Sequence, residues 1–533
     1  MDSPRNSPAG AMRTELPLWL AALGGYAAML AAAEPHIFDD AYMFVRYADN
    51  IIAGHGYTWN PGDPPTYGCT SIAFTYVTAA ARWLFPAVHE TALVTGLGSL
   101  LGAAAVTSAG VLLRGISRGL PTALLFLLFA WNPKTVYHSL TGMETMLSFT
   151  SLCALAWASL GWANKGGAGR AALAALAGYA AFLVRPDNGI HAGLLPLLCF
   201  LLAGPVRRPL LQSLPFCAFF GLLLLGDTAA KALAFGHPLP LPHFAKGAAF
   251  NDGYQGIHLW NPVLYLYHFG LVFSPAFAWA ALAMRREDLG RAGAFGLPVL
   301  LTFGYYFTVV QIMGGSARYY FPSAALVLAL AAGIPGSPLE LLRLRWRRLA
   351  AMGAVAAALL AARGPLAAAY LDSRTTQDQL AGQDGAPSPE SPLRWSWRDS
   401  MDGMVRIVQQ LPEGSVIAAS EHGELAAARP DITILDTLGL HDPETAMEGF
   451  SAARLTARAP SLIWLPHFHY TPTVKALLLD PAFRRDYVYV PDAYRYGIAV
   501  HRSDPETLRI LREAFEEDYP DAGWERSVHR FQP

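Results

Sequence analysis

Apolar runs long enough to cross a bilayer recur along residues 15–371, and they decide what this chain can fold into. A transmembrane helix needs roughly 17–25 largely apolar residues, because each residue rises about 1.5 Å and the hydrocarbon layer is about 30 Å thick. Candidate spans lie near 15–33, 90–113, 121–133, 143–163, 169–184, 189–203, 209–230, 259–283, 291–312, 317–335 and 347–371, so about eleven helices are predicted. Composition agrees: mean hydropathy is +0.28 and only 15% of residues are charged, against roughly a quarter in soluble domains.

The short loops set the orientation, because Lys and Arg collect on the cytoplasmic side. Arg5 and Arg13 precede the first run; Arg114 and Arg118 follow the second, Lys165 and Arg170 the fourth, Arg207 and Arg208 the sixth. Arg285, Arg286 and Arg291 follow the eighth, and Arg343, Arg345, Arg347 and Arg348 the tenth. All fall on one side of the membrane if eleven helices span, with the N-terminus inside and the C-terminal tail outside. Residues 70–86 are also apolar, but counting them as a span would reverse the second basic loop, so a surface or bundle-packed helix is predicted. The stretch 30–36 (LAAAEPH) resembles a signal-peptidase site, a competing reading disfavoured by the length of the apolar run before it.

The chain changes character after Tyr370. Residues 372–400 are polar and contain Pro387, Pro389 and Pro392, as a linker would. Residues 401–533 read as a soluble α/β domain. Its expected strands are SVIAAS, ITILDT, SLIWL and YVYV, interleaved with amphipathic segments at 401–411 and 505–516. The parts are therefore a membrane domain at 1–371, a linker at 372–400 and an extracytoplasmic α/β domain at 401–533. A formal net charge of −1 gives no basic field for nucleic acid. Cys69, Cys153, Cys199 and Cys217 form no disulfide framework, and no His/Cys cluster has zinc spacing. No internal repeat is visible, which disfavours transporters built on inverted repeats. The Ala-, Pro- and Arg-rich usage points to a GC-rich bacterial genome, hence a bacterial plasma (inner) membrane.

With this topology the unusual polar residues gather on the outer face. Asp39 and Asp40 stand at the membrane boundary, where a carboxylate is costly unless used or paired. If 39–54 is helical, Asp39, Tyr42 and Arg46 share a face. Helix capping explains the acid pair equally well, with Asp39 as N-cap and Asp40 in the first turn. Glu144 sits at a helix end within TGMET, and Arg185 and Asp187 within VRPDNG. Their ordinary readings are a first-turn acid for Glu144 and a snorkelling cation for Arg185. The Pro-rich stretch 235–247 carries His237, His243 and Lys246 and reads as an exposed loop or lid. Arg318 lies beside a glycine turn in MGGSARYYFP.

These residues also carry a resemblance. FDDAYMFVRYADNIIAGHGYTWNPGD resembles the opening signature of bacterial GT-C glycosyltransferases, DDAY-x-x-x-RYA-x-N followed by NPG, and looks closest to the mycobacterial terminal β-(1→2) arabinofuranosyltransferase group. GMET, RPD, GHPLPLPHFAKG, GGSARYYFP and GELAAARPDITILDTLGLHDP resemble that group's further motifs in order, from about residue 38 to 442. Three departures stand out. Leu241 and His243 interrupt the usual NTFY wording, Ser316 replaces an acid beside Arg318, and TYGCTS stands in place of an EGYTN-like string. The sugar is therefore left open.

The resemblance implies a GT-C fold and an inverting glycosyltransferase. Its donor would be a polyprenyl-phosphate sugar, and its acceptor an extracytoplasmic glycan, lipid or protein. An acceptor hydroxyl is a poor nucleophile, so Asp39 or Asp40 would take its proton, and the face shared with Arg46 slightly favours Asp39. A lipid phosphate is already a good leaving group and needs cations, for which Arg46, Lys246 and Arg318 are candidates, with Arg185 a further one. Glu144 and His243 would orient sugar hydroxyls or the acid pair. No cofactor is required, although the paired aspartates with phosphate oxygens would suit Mg²⁺ or Mn²⁺. The alternatives are a flippase or transporter of a lipid-linked saccharide, and a ligase using a lipid-diphosphate glycan. Glu421, His422 and Asp436 are expected to be ordinary residues of the α/β domain.

Overall fold

The computed structural model describes residues 8–205, 208–246, 255–309, 315–335, 382–388, 390–467 and 470–532, with isolated positions between them. Helix α1 (Pro8–Ala32) leads into α2 (Asp39–Ile52), α3 (Ile72–Leu84) and α4 (Glu90–Ile116). By length and composition five described helices could cross a membrane: Glu15–Ala32, Glu90–Ile116, Thr145–Lys165, Pro186–Ala203 and Leu210–Phe235. The pair Asn261–Val272 and Ser274–Ala283, bent by 68°, makes a sixth if taken as one span.

Several expected spans are shorter. The run at 121–133 stops at Ala130, because Asn132 caps a new helix starting at Pro133. The run at 169–184 forms the 17-residue helix Ala168–Val184. The described residues thus give five or six spans by these criteria, against about eleven expected, and the candidate at 347–371 lies almost wholly outside them.

Small residues bring the helices together. A Cβ on Gly102 of α4 would lie 2.0 Å from the Tyr26 hydroxyl of α1 and 2.1 Å from Ser139 Oγ. Only glycine lets these elements approach so closely, as expected where lipid gives no hydrophobic drive for helix association. Helix α3 has 13 residues, too few to span, and leaves Tyr76, Trp83 and Leu84 exposed. It packs on α2, in agreement with the reading of 70–86 as a non-spanning helix.

The C-terminal part is a five-stranded sheet in the order β2-β1-β3-β5-β4. Its strands are β1 (Val416–Ala419), β2 (Thr433–Asp436), β3 (Leu462–Trp464), β4 (Tyr487–Val490) and β5 (Ile498–His501). Strand β1 runs parallel to β2 and β3, whereas β5 is antiparallel to β3 and β4. Four strands lie where alternation and β-branching placed them; β5 was not anticipated. The amphipathic segments form the helices Trp397–Gln410 and Pro505–Asp518. One hydrophobic core runs from this sheet into α2, the loop after it and α3, including Tyr47, Tyr57, Trp59 and Phe74.

Candidate active site

Helix α2 places the acid pair, and its two members face different structures. Asp39 is 2% exposed, and its carboxylate accepts hydrogen bonds from the backbone N–H groups of Gly423 (2.8 Å) and Glu424 (2.7 Å). These groups open the short helix Gly423–Ala428 of the C-terminal domain, so Asp39 caps that helix rather than its own. Asp40 instead lines a cavity of about 430 Å³ and accepts a hydrogen bond from Arg318 Nη2 at 2.9 Å. Burial opposes its charge, but the Arg318 guanidinium and then Lys246 outweigh burial and hold its carboxyl below the usual range. Asp39 goes the other way. Burial dominates the attraction of His422 and the two N–H bonds, pushing its pKa up to about 6.

Arg318 is 4% exposed and sandwiched between the rings of Phe38 and Tyr319 at 5.3 and 4.9 Å. Its Nε and Nη1 are buried with no hydrogen-bond partner among the described residues. The turn that presents it has left-handed backbone at Ser316 (φ 56°) and Ala317 (φ 62°), unusual for residues with a Cβ. Lys134 Nζ donates to Ser316 Oγ at 2.9 Å, and His138 Nε2 meets the Ser316 carbonyl at 3.2 Å, fixing that turn. A strained turn presenting a cation with spare donors is the arrangement a bound anion would exploit.

Lys246 and His243 also line the cavity, as do Glu144, Arg185 and Asp187. Arg185 is already engaged: Nη1 donates to Glu144 at 2.6 Å, and Nε and Nη2 form a fork with Asp187 at 3.0 and 2.6 Å. Tyr306 adds a 2.5 Å hydrogen bond to Asp187. This triad carries more negative than positive charge, so Arg185 is compensated where Arg318 keeps spare donors. The second oxygen of Glu144, Oε2, is buried without a partner among the described residues.

Arg46 lies elsewhere. It is fully buried and spends five hydrogen bonds on protein oxygens: the carbonyls of Trp59, Ala426, Arg429 and Ile432 and the Asn60 side chain. It is a strut between the first loop and the C-terminal domain, which corrects its assignment as a phosphate ligand; the helical phase it shares with Asp39 turns both toward residues 423–432. Other residues of the opening motif serve the same junction. Asn60 exchanges hydrogen bonds with the backbone of Ile434, covering the edge of β2, and Tyr47 meets His441 at 3.1 Å. Trp59 stacks on His441 at 3.9 Å.

Glu421, expected to be an ordinary residue of the α/β domain, is drawn close to the acid pair. It lies two residues before the helix that Asp39 caps, and burial beside Asp39 and Asp40 pushes its pKa up to about 8. Its short distance in sequence from GELAAARP was the only available signal. Among the described residues no group of three or more His, Cys, Asp or Glu is placed to hold a metal. Each Asp39 oxygen accepts one backbone N–H group, so of the acid pair it is Asp40 that faces the cavity.

No family model and no curated protein sequence matches this chain. Among solved structures, ArnT from Cupriavidus metallidurans bound to undecaprenyl phosphate aligns over 92% of this chain and 98% of its own, with a TM-score of 0.52 and 13% identity. The apo oligosaccharyltransferase of Archaeoglobus fulgidus aligns over 92% and 75% respectively, at a TM-score of 0.49 and 12% identity. The likeness to ArnT is one of fold: a bundle of long apolar helices followed by a C-terminal domain with a mixed sheet.

Proposed function

We propose that the chain is a glycosyltransferase that moves a sugar from a polyprenyl-phosphate donor to an acceptor hydroxyl, with inversion, on the outer face of a bacterial inner membrane. The observation that carries this reading is the pairing, in one cavity, of a charged Asp40 with an Arg318 that keeps two unbonded buried nitrogens. The fold shared with ArnT, whose structure holds undecaprenyl phosphate, supports it, and so do the ordered motifs that resemble the terminal arabinofuranosyltransferase group. The loop charges support the outward orientation.

Each residue then has a definite task. The acceptor oxygen attacks the anomeric carbon while its proton passes to Asp40. The bond from that carbon to the donor phosphate oxygen breaks, and polyprenyl phosphate leaves with the electron pair. Arg318 Nε and Nη1, with Lys246, bind the phosphate and neutralise its growing charge. Glu144 Oε2 accepts a hydroxyl of the transferred sugar. In-line attack from the Asp40 side inverts the anomeric centre.

The transporter alternative needs unpaired charge along a path through the bilayer. Asp227, an acid within the apolar helix Leu214–Phe235, is paired with Lys231 at 2.6 Å and bonded by Tyr179 at 3.1 Å. The decisive experiment uses purified protein in detergent with a panel of undecaprenyl-phosphate sugars and simple glycosides as acceptors. Release of undecaprenyl phosphate is expected from the wild type, and a fall of roughly 10²-fold or more in Asp40→Asn. Normal turnover in a folded Asp40→Asn protein sinks the assignment. A preference for undecaprenyl diphosphate would select the ligase.

A further inference from the structure

One wall of the cavity is a continuous chain of polar contacts that runs from Arg318 to Gln311. Arg318 Nη2 donates to the Tyr319 hydroxyl at 3.1 Å, and the Tyr319 ring meets both the Arg318 and the Arg185 guanidiniums, at 4.9 and 5.0 Å. Arg185 holds Glu144 and Asp187. The Tyr306 hydroxyl lies 2.5 Å from Asp187 and 2.9 Å from the Tyr319 carbonyl. Gln311 ends the chain: its Nε2 donates to the Tyr306 carbonyl at 2.6 Å and lies 3.3 Å from the Tyr320 hydroxyl.

Gln311 has no task in the chemistry described so far, yet it lines the cavity and is only 2% exposed. Its place is fixed from the helix Gln255–Val272, where Asn261 Nδ2 donates to its backbone carbonyl at 2.7 Å. The orientation of its amide is fixed too. A carbonyl oxygen can only accept, so the Tyr306 carbonyl requires the NH2 group on its own side. Oε1 is then the atom left over, buried and without a partner among the described residues. Glu144 Oε2, on the same wall, is in the same state. A buried acceptor is costly to leave unpaired, and at a cavity wall the missing donor is one a ligand can bring.

The wall therefore has a polarity. At the Arg318 end the spare atoms are donors, Nε and Nη1; at Glu144 and Gln311 they are acceptors. The rings of Tyr305, Tyr306 and Tyr319 line the space as well, and aromatic faces suit the C–H groups on the flat side of a sugar ring. A sugar phosphate has the complementary order, with phosphate oxygens that accept at one end and ring hydroxyls that donate beyond the anomeric carbon. Resting on the reading of this cavity as a polyprenyl-phosphate-sugar site, we propose that Gln311 is a specificity-determining residue whose Oε1 accepts one hydroxyl of the donor's sugar, a different one from that accepted by Glu144. The sugar class follows. A deoxy carbon facing Gln311 leaves Oε1 unpaired, and a carboxylate there sets oxygen against oxygen. The transferred sugar is thus a neutral one at that carbon, with its hydroxyl free.

The test titrates the full-length protein in detergent with undecaprenyl phosphate and with its galactose, glucose, mannose and arabinofuranose derivatives, read by native mass spectrometry. At least one sugar is expected to bring Kd below that of undecaprenyl phosphate alone. The single-deoxy forms of that sugar are then compared with their parent. Loss of one hydroxyl should raise Kd roughly 10- to 100-fold in the wild type. In Gln311→Met and Gln311→Ala the same deoxy form and its parent should bind alike, because the acceptor for that hydroxyl is gone. A variant that merely loosened the wall would weaken every form together and leave their ratio as it was. That unmoved ratio overturns the proposal, as does a wild type for which no sugar, or no single hydroxyl, improves binding. Loss of all binding in both variants would make Gln311 a packing residue and overturn it too. Gln311-dependent selectivity without transfer to any acceptor would instead sink the glycosyltransferase reading and leave Gln311 as the residue that reads the sugar.

Discussion

Asp40 and Arg318 illustrate how a single ion pair sets chemistry. A buried carboxyl would ordinarily resist ionisation, yet Arg318 and Lys246 keep Asp40 charged, so it stands ready as a base across the neutral range. The acid limb of kcat/KM is therefore expected to lie below the ordinary aspartate value of 3.8. Replacing Arg318 with Gln leaves burial unopposed by the nearest cation, so the limb should move up in pH and donor affinity should fall. A pH–rate series on both proteins, with undecaprenyl-phosphate titrations, checks this; an unmoved limb and unchanged affinity would remove Arg318 from the site. Arg185 cannot stand in, because its donors are held by Glu144 and Asp187.

At the scale of elements, α2 joins two bodies. Asp39 and Arg46 face the C-terminal domain while Asp40 faces the cavity, so one helix both holds that domain and aims the carboxylate proposed as the base. Losing Arg46 would leave several buried carbonyls without donors. Arg46→Met is expected to destabilise the protein by about 3 kcal/mol or more, and Arg46→Lys to rescue little of it, since an ammonium lacks the planar fork. Thermal melts with limited proteolysis of the C-terminal domain are the measurement. Gly423→Ala offers a second probe. Its Cβ would lie 2.1 Å from the Asp39 carbonyl oxygen, so the capped helix must shift, at a cost of roughly 1–3 kcal/mol. Asp39→Asn should then behave as a docking lesion: a lower melting temperature and a modest loss of turnover, against the deep loss in Asp40→Asn. Equal catalytic losses at equal stability would contradict that division.

Across the whole molecule, membrane-side loop and sheet share one core, and their junction traps acids. Burial beside Asp39 and Asp40 raises Glu421 from 4.5 to about 8. The folded chain therefore holds a proton that the unfolded chain releases, and the sign follows: this stabilising contribution is complete below pH 4.5 and is lost as pH climbs to about 8. The melting temperature should fall across that window, and Glu421→Gln should flatten the fall; identical profiles would show that Glu421 is not held protonated. The same junction predicts that a fragment beginning at 397 melts well below the intact protein, because Trp59, Tyr47 and Arg46 no longer cover it.

Local pattern determined a good deal. Apolar run length announced a membrane bundle, and short apolar or β-branched runs placed four of the five described strands. An acid pair at a hydrophobic boundary was conspicuous because charge is expensive there. The capping reading, with Asp39 as N-cap of its own helix, does not hold: Phe38 occupies that position, and Asp39 bonds the start of a helix at Gly423, 384 residues away. Spacing along one helix can report which residues share a face but not what the face meets, so Arg46 was grouped with the cavity and Glu421 with an ordinary domain. Only the tertiary structure shows that Asp39 meets the C-terminal domain while Asp40 lines the cavity. The partners that set their charge states come from segments hundreds of residues apart, and burial and electrostatics depend on distance in space.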